Sequence, residues 1–442
     1  MSNLALLGGE PAIKERHDDI FKWPIITPEI EQAVLSELRR GTMSNIDATE
    51  KFEAEFAKWQ GSRYALAHPN GTSALLAAMF AVGVGAGDEV IMPSITYWAS
   101  GLQLYSLGAT PVFAEVENHS LCLDAADLER VIGPGTKAIM VVHYLGYPAD
   151  MDSIMGIAKK HGIRVIEDVS HAQGGLYKGK KLGTFGDVAA MSLMTGKSFA
   201  IGEGGMLITN DRVFYERALA WGHYERNTSD YITMPDLLPY IGLPFGGVKN
   251  RLNQLASVMG IEQLKVYNER AVEIRRGMNR FWDALEGVPG IRAHRVEEKN
   301  GSTMAGWYYP HGLYIPEELD GLSVTRFCQA LKAEGVEAVS PGVNKPLHTH
   351  PLMQTADIYN DGKPTRIRFA SRDVRELDKA LPNSEAIPER TYAIPWFKHD
   401  YPEIIELYVQ AFRKVCASYK DLLKDDPGNP PGLGAWFFSR PK

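Results

Sequence analysis

The stretch Val188-Ala189-Ala190-Met191-Ser192-Leu193-Met194-Thr195-Gly196-Lys197 decides the fold. Its first six residues are mostly apolar, as a strand buried on both faces of a sheet must be. A turn then presents Lys197 just past the strand end. Gly202-Glu203-Gly204-Gly205 follows, with the freedom for tight turns and close ligand approach. Similar runs precede it at Tyr64–His68, Glu89–Met92, Thr110–Val116, Lys137–His143 and Arg164–Glu167, and one follows at Met206–Thr209. Between them the pattern predicts helices at Ser73–Ala81, Trp98–Leu107, Ala125–Val131 and Met151–Lys160. Such alternation predicts an α/β fold, a mostly parallel seven-stranded sheet with helices on both faces.

A long amphipathic helix, Gln254–Leu285, leads out of this block. Beyond it a strand-like run, Met304–Tyr314, and helices at Thr325–Glu334, Val374–Leu381 and Glu403–Lys420 predict a smaller α+β C-terminal domain. The expected organisation is an N-terminal segment (1–47), a large domain (48–270), a small domain (271–424) and a Pro/Gly-rich tail (425–442). The tail's Trp436, Phe437 and Phe438 are expected to pack on their own protein. With 442 residues, 45% hydrophobic and 23% charged, the chain is a folded globular protein, and extensive disorder is excluded. A net charge of −7 disfavours nucleic acid or an anionic membrane as the main partner. Cys122, Cys328 and Cys416 lie far apart, so no disulfide framework is expected and a cytoplasmic location is predicted. The start lacks a secretory signal pattern, and Ser73–Gly87, the most apolar stretch, is too short to span a bilayer.

Three features at strand ends, where open α/β sheets bind ligands, can carry chemistry. Asn70-Gly71-Thr72-Ser73 opens a helix directly after a strand, and its N–H groups and hydroxyls suit a phosphate or serve as a plain N-cap. Glu167-Asp168 closes another strand, with His171 three residues on; an acid there orients a cofactor, holds a metal, acts as a base or caps a helix. Lys197 is either a solvated lysine or, held in a pocket, a Schiff-base nucleophile. Together an acid, a lysine and a phosphate turn match what pyridoxal phosphate requires. Gly83-Val84-Gly85-Ala86-Gly87 precedes a strand and so does not support dinucleotide binding. His348-Thr349-His350 lacks further ligands at metal-site spacing, and no metal is predicted.

These motifs, together with Gly8-Gly9-Glu10-Pro11, Pro93-Ser94-Ile95-Thr96-Tyr97 and Gly146-Tyr147-Pro148-Ala149-Asp150-Met151-Asp152, occur in an order and spacing that resemble the DegT/DnrJ/StrS aminotransferases. Those are fold-type I pyridoxal-phosphate enzymes that aminate keto-sugars and cyclitol ketones. The resemblance covers nearly the whole chain. It implies pyridoxal 5'-phosphate joined covalently to Lys197, with pyridoxamine phosphate between the half-reactions. Lys197 would then move the proton, and Asp168 would pair with the ring nitrogen. His171 would lie near the ring hydroxyl. Tyr97 would stack on the ring, its alternative being a plain core aromatic. Gly71, Thr72, Ser73 and Ser192 would hold the phosphate.

In the family, a Gly-x-Asn-x-Arg segment of the partner subunit completes the phosphate site. Here Gly247-Val248-Lys249-Asn250-Arg251 puts Lys249 at the Asn position and leaves open whether Lys249 or Asn250 makes the contact. A homodimer is therefore implied. The resemblance also implies glutamine or glutamate as donor and secondary-metabolite, antibiotic-type biosynthesis. The opening Leu4–Pro11 tilts the acceptor towards a cyclitol. Keto-nucleotide-sugar amination, aminohydroxybenzoate-type chemistry and a non-catalytic cofactor-binding regulator are the alternatives. The segment Trp221 to Gly247, with Tyr224, Arg226, Tyr231 and Tyr240, is expected to be a long loop covering an active site, the partner's included.

Overall fold

The computed structural model describes residues 3–376 and 380–436. The large sheet has seven strands: β1 (Tyr64–His68), β2 (Glu89–Pro93), β3 (Thr110–Ala114), β4 (Thr136–Val142), β5 (Arg164–Asp168), β6 (Val188–Ser192) and β7 (Gly205–Thr209). Their order across the sheet is β1-β7-β6-β5-β4-β2-β3. Neighbours are parallel except at β7, which runs antiparallel to both β1 and β6. The strand runs read from the apolar pattern thus become the strands of the sheet, within two residues at each end.

Helix Gly71–Ala81 packs against β6, β7 and helix Arg212–Gly222. It is apolar on nearly every side, so burial rather than amphipathicity stabilises it. Asn70 caps it by accepting a hydrogen bond from the Ser73 N–H at 2.8 Å. Met151–His161 starts under an Asp150 cap and ends at Gly162, whose φ of 67° suits glycine.

The smaller domain carries a four-stranded antiparallel sheet of β8 (Ile291–Ala293), β9 (His311–Tyr314), β10 (Ser340–Pro341) and β11 (Thr391–Ala393), in the order β8-β9-β11-β10. Two apolar cores result. The first gathers side chains from Phe52 to Ala271. The second joins Leu4, Ile13 and Ile20 to residues between Ile274 and Leu422. Helix Gln254–Ala284 passes from one to the other, with Tyr267 and Ala271 in the first core and Ile274 and Met278 in the second. The return segment also contributes to the first core, through Val343, Leu347, Met353, Leu381 and Ile387.

Several expectations are corrected. Trp98–Leu107 forms two 3-10 turns, Trp98–Ser100 and Leu102–Leu107, broken at Gly101. The thioether of Met92 fills the space a side chain at Gly101 would need. Only His311–Tyr314 of the run Met304–Tyr314 is a strand, because Ala305, Trp307 and Tyr309 all adopt positive φ. Residues 374–376 are not helical, 377–379 lie outside the described residues, and the helix is Pro382–Ala386. Within the tail, Trp436 packs edge-on against His350 with ring centroids 4.6 Å apart, whereas Phe437 and Phe438 lie outside the described residues. No helix among the described residues is long and apolar enough to cross a membrane. Cys122, Cys328 and Cys416 are free and buried.

Candidate active site

The C-terminal ends of β1, β2, β4, β5 and β6 converge on one cavity of about 270 Å³. Its lining includes Gly71, Thr72, Tyr97, Asp168, His171, Ser192 and Lys197. One site thus contains seven of the sequence-predicted residues. Ser73, the next residue of the helix, lies outside the lining, and its N–H is taken by Asn70.

Lys197 follows β6 through a tight turn closed by its own N–H bonding the Met194 carbonyl at 2.8 Å. It is 7% exposed. Burial pulls its amine down to about 7, while the Asp168 charge pulls the other way. A lysine in this state has an accessible neutral form near neutral pH, which a nucleophile and proton carrier requires. The Lys197 carbonyl accepts a hydrogen bond from Trp23 Nε1 at 2.8 Å, and the ring of Tyr308 lies 3.9 Å from Nζ.

Asp168 ends β5 and is 4% exposed. Its Oδ2 accepts from Ser100 Oγ at 2.8 Å and its Oδ1 from the Ser170 N–H at 3.0 Å. Ser100 is in turn paired with Thr96 Oγ1 at 2.8 Å. These bonds orient the carboxylate. Glu167, its neighbour in sequence, has a different task. It accepts from the N–H groups of Gly183, Phe185 and Gly186 and pairs with His143 at 3.1 Å. Burial pulls this carboxyl upward, but the bonds from His143 and the loop outweigh it and hold it below its usual range. Glu167 therefore fixes a loop, and Asp168 alone faces the cavity.

His171 Nδ1 accepts the Leu145 N–H at 3.2 Å, which leaves the proton on Nε2. Burial, then the Lys197 charge, hold its imidazole well below the ordinary range, so it is neutral. At the opposite requirement, anion binding, the start of helix Gly71–Ala81 leaves first-turn N–H groups without partners inside the helix. A Cβ placed at Gly71 would lie 2.7 Å from Ser192 Cβ, so only glycine lets the two backbones meet here. A helix start, two hydroxyls, an oriented acid and a buried amine in one cavity form a donor set that fits pyridoxal phosphate.

Lys249 and Asn250 do not line this cavity. Asn250 is buried beside Gly222, whereas Lys249 is exposed with Nζ 5.5 Å from the ring of Tyr224. Nor do Tyr224, Arg226, Tyr231 and Tyr240 line it. Arg226 is buried in a bidentate pair with Glu53 (2.7 and 2.9 Å), and Tyr231 bonds Glu50 at 2.7 Å, so these two side chains are tied to their own chain, whereas Tyr224 and Tyr240 are exposed. His348 bonds Ser94 at 2.7 Å and Glu385 at 3.3 Å; the described residues hold no group of three or more metal-type ligands. Sequence reasoning missed Trp23, Ser100, Ser170 and Tyr308. Ser170 sits inside the Glu167–His171 motif and was legible; the others approach from distant segments.

The DegT/DnrJ/EryC1/StrS aminotransferase family matches residues 24–412. The L-glutamine:2-deoxy-scyllo-inosose aminotransferase of Streptoalloteichus tenebrarius is 30% identical over 392 residues, covering 83% of this chain and 88% of that one. The GDP-perosamine synthase of Caulobacter vibrioides is 36% identical over 305 residues, covering 68% of this chain and 77% of that one. Among solved structures, an aminotransferase from Psychrobacter cryohalolentis superposes with a TM-score of 0.77 at 28% identity, over 90% of this chain and 99% of that one. The chain belongs to the DegT/DnrJ/EryC1/StrS aminotransferase family.

Proposed function

We propose that this aminotransferase moves an amino group from glutamine or glutamate to a ketone on a cyclitol ring, with Lys197 as the reactive amine. The observation that carries the reading is the buried Lys197 amine, held at about 7, in one cavity with the oriented carboxylate of Asp168. Similarity to a scyllo-inosose aminotransferase supports the acceptor class. Similarity to a GDP-perosamine synthase favours a nucleotide-linked keto-sugar as the second reading.

When bound, pyridoxal phosphate supplies a carbonyl that condenses with amines and a ring that takes up an electron pair. The chain's own residues do the rest. Lys197 Nζ would be its covalent anchor and then move a proton. Asp168, kept in place by Ser100 and Ser170, would hold a proton on the ring nitrogen. Thr72, Ser192 and the helix start would bind the phosphate, with Gly71 allowing the approach. Tyr97 would cover the ring face, and the Nε2–H of His171 would donate to a ring oxygen. Lys249, exposed where Asn250 is not, is the better placed of the two to reach a partner's phosphate site in a homodimer.

The test is absorbance of the full chain mixed with pyridoxal phosphate, followed by glutamine, glutamate and alanine in turn. A visible band that one donor bleaches supports the reading and names the donor. A Lys197→Ala variant with an unchanged band would overturn it.

A further inference from the structure

Resting on the assignment of Lys197 as the reactive amine, we propose that Tyr308 is a positioning residue for the reaction, the face of its ring holding that amine in place. The ring centroid lies 3.9 Å from Lys197 Nζ, and Tyr308 is 8% exposed and lines the cavity. It does not belong to the large sheet. It comes from the strap 304–309, which leads into β9 of the smaller domain.

That strap is built to press inward. Ala305, Trp307 and Tyr309 all have φ between 46° and 50°, a left-handed conformation that residues with side chains rarely adopt. Strain of this kind persists only where surroundings over-determine it, and it collects at functional sites. The surroundings are visible. Trp396 Nε1 donates to the Gly306 carbonyl at 2.9 Å, and the Trp396 ring stands edge-on to Tyr308 at 5.7 Å. A Cβ at Gly306 would lie 2.3 Å from Ser198 Cβ, so the strap touches the residue next to Lys197. His171 closes on Tyr308 from the large domain, with ring centroids 4.6 Å apart. The ring is thus fixed on both sides, and the amine rests on its face.

A ring face attracts an ammonium group through its quadrupole, more strongly when water is excluded. Burial opposes the same charged form. The titratable groups that share the cavity with Lys197 are Asp168, His171, Glu203 and Tyr97. The Asp168 carboxylate favours the ammonium, and His171 is neutral. Tyr308 therefore works beside Asp168, from the other domain, to keep a buried amine from staying permanently neutral.

The experiment compares wild type, Tyr308→Phe and Tyr308→Leu. Cyanate labels Lys197 across a pH series in the full chain without pyridoxal phosphate, and peptide mass spectrometry reads the labelling. The midpoint for wild type is expected at about 7. Phe keeps the ring face and should titrate with wild type. Leu should shift the midpoint down by about half a unit to one and a half units. In the loaded enzyme, the pH midpoint of the visible band should move the same way, with kcat falling more than KM rises. If Leu does not yield folded protein by circular dichroism, Tyr308→Met takes its place. A Leu or Met midpoint equal to wild type, or a Phe shift as large as that of Leu, overturns the proposal. Failure of the transaminase assignment is read separately, from an unchanged band in Lys197→Ala.

Discussion

Replacing Gly71 with alanine exchanges a hydrogen for a methyl group at the tightest point of the site. The new Cβ would sit 2.7 Å from Ser192 Cβ, 2.8 Å from its Cα and 2.9 Å from its backbone nitrogen. Carbon pairs rest at about 3.5–4.0 Å, so the two backbones must part by roughly 1 Å. Neither can yield freely. Ser192 is registered opposite Gly205 in the β6–β7 ladder, and a Cβ at Gly205 would itself lie 2.3 Å from the Asn70 carbonyl oxygen. Overpacking of this kind costs about 1–3 kcal/mol of stability. Moving the helix start by that distance also lengthens its hydrogen bonds to a phosphate, each worth about 1.5–3 kcal/mol when the acceptor is charged. Affinity for pyridoxal phosphate should therefore fall roughly ten- to a hundred-fold. Urea unfolding measures the first quantity and a spectrophotometric titration the second. Gly85→Ala is the control, because the nearest atom to its Cβ is 4.0 Å away. If Gly71→Ala binds within two-fold of wild type and matches the control in stability, the close-approach argument is wrong.

Asp168→Asn should shift the Lys197 labelling midpoint further below about 7, since the lost carboxylate is what raises it, and should abolish measurable transamination. Trp23→Phe leaves the Lys197 carbonyl without its indole donor; a loss of about 1–2 kcal/mol in urea unfolding is expected, with weakened cofactor binding. Arg226→Ala leaves Glu53, 5% exposed, without its bidentate partner and should cost about 3–5 kcal/mol, only part of it recovered when Glu53 is also removed, because the buried Ala67 N–H then loses its acceptor. Burial holds His68 at about 4, His294 at about 3 and His223 well below its ordinary value, so all three are neutral when folded. The unfolded chain takes up protons from about pH 6.5 downward while the folded chain does not, so stability should fall between pH 6.5 and 4. Each histidine adds a slope of up to about 1.4 kcal/mol per pH unit. His294→Gln should flatten the measured slope by about one histidine's share.

Much of the fold was legible because the sheet is buried on both faces. Each strand then reads as an apolar run, and the residues at or just past its end line the cavity: Asn70–Thr72 after β1, Asp168 at the end of β5, Lys197 after β6. What failed to show is what depends on segments meeting from afar. Trp23 reaches Lys197 across 174 residues, a contact no local pattern encodes. Met304–Tyr309 reads as a strand because it is apolar, but three of its residues turn left-handed to bring Tyr308 to the amine. Trp98–Leu107 carries helical spacing, yet Gly101 interrupts it where the packing of Met92 leaves no room for a side chain. Glu167 and Asp168 look equivalent in sequence, and only the alternation of side chains along β5 assigns one to the loop and the other to the cavity.

The placement of the first twenty residues bears on the order in which the protein is made. Leu4, Ile13 and Ile20 sit in the second core among side chains that extend to Leu422, and the N–H groups of Ala5 and Ala12 both bond the Glu334 carboxylate (2.8 and 2.9 Å). On the ribosome this segment emerges long before the residues it packs against. Most of the first core is in hand once Ala271 has been synthesised. The opening segment waits for about 150 further residues, roughly ten to thirty seconds of translation. Trp23 follows that segment closely, so its indole bond to the Lys197 carbonyl is expected to form only after the segment's own partners have been made. A truncated product from an interrupted message would then carry a sheet and a lysine turn but lack the indole bond to the Lys197 carbonyl.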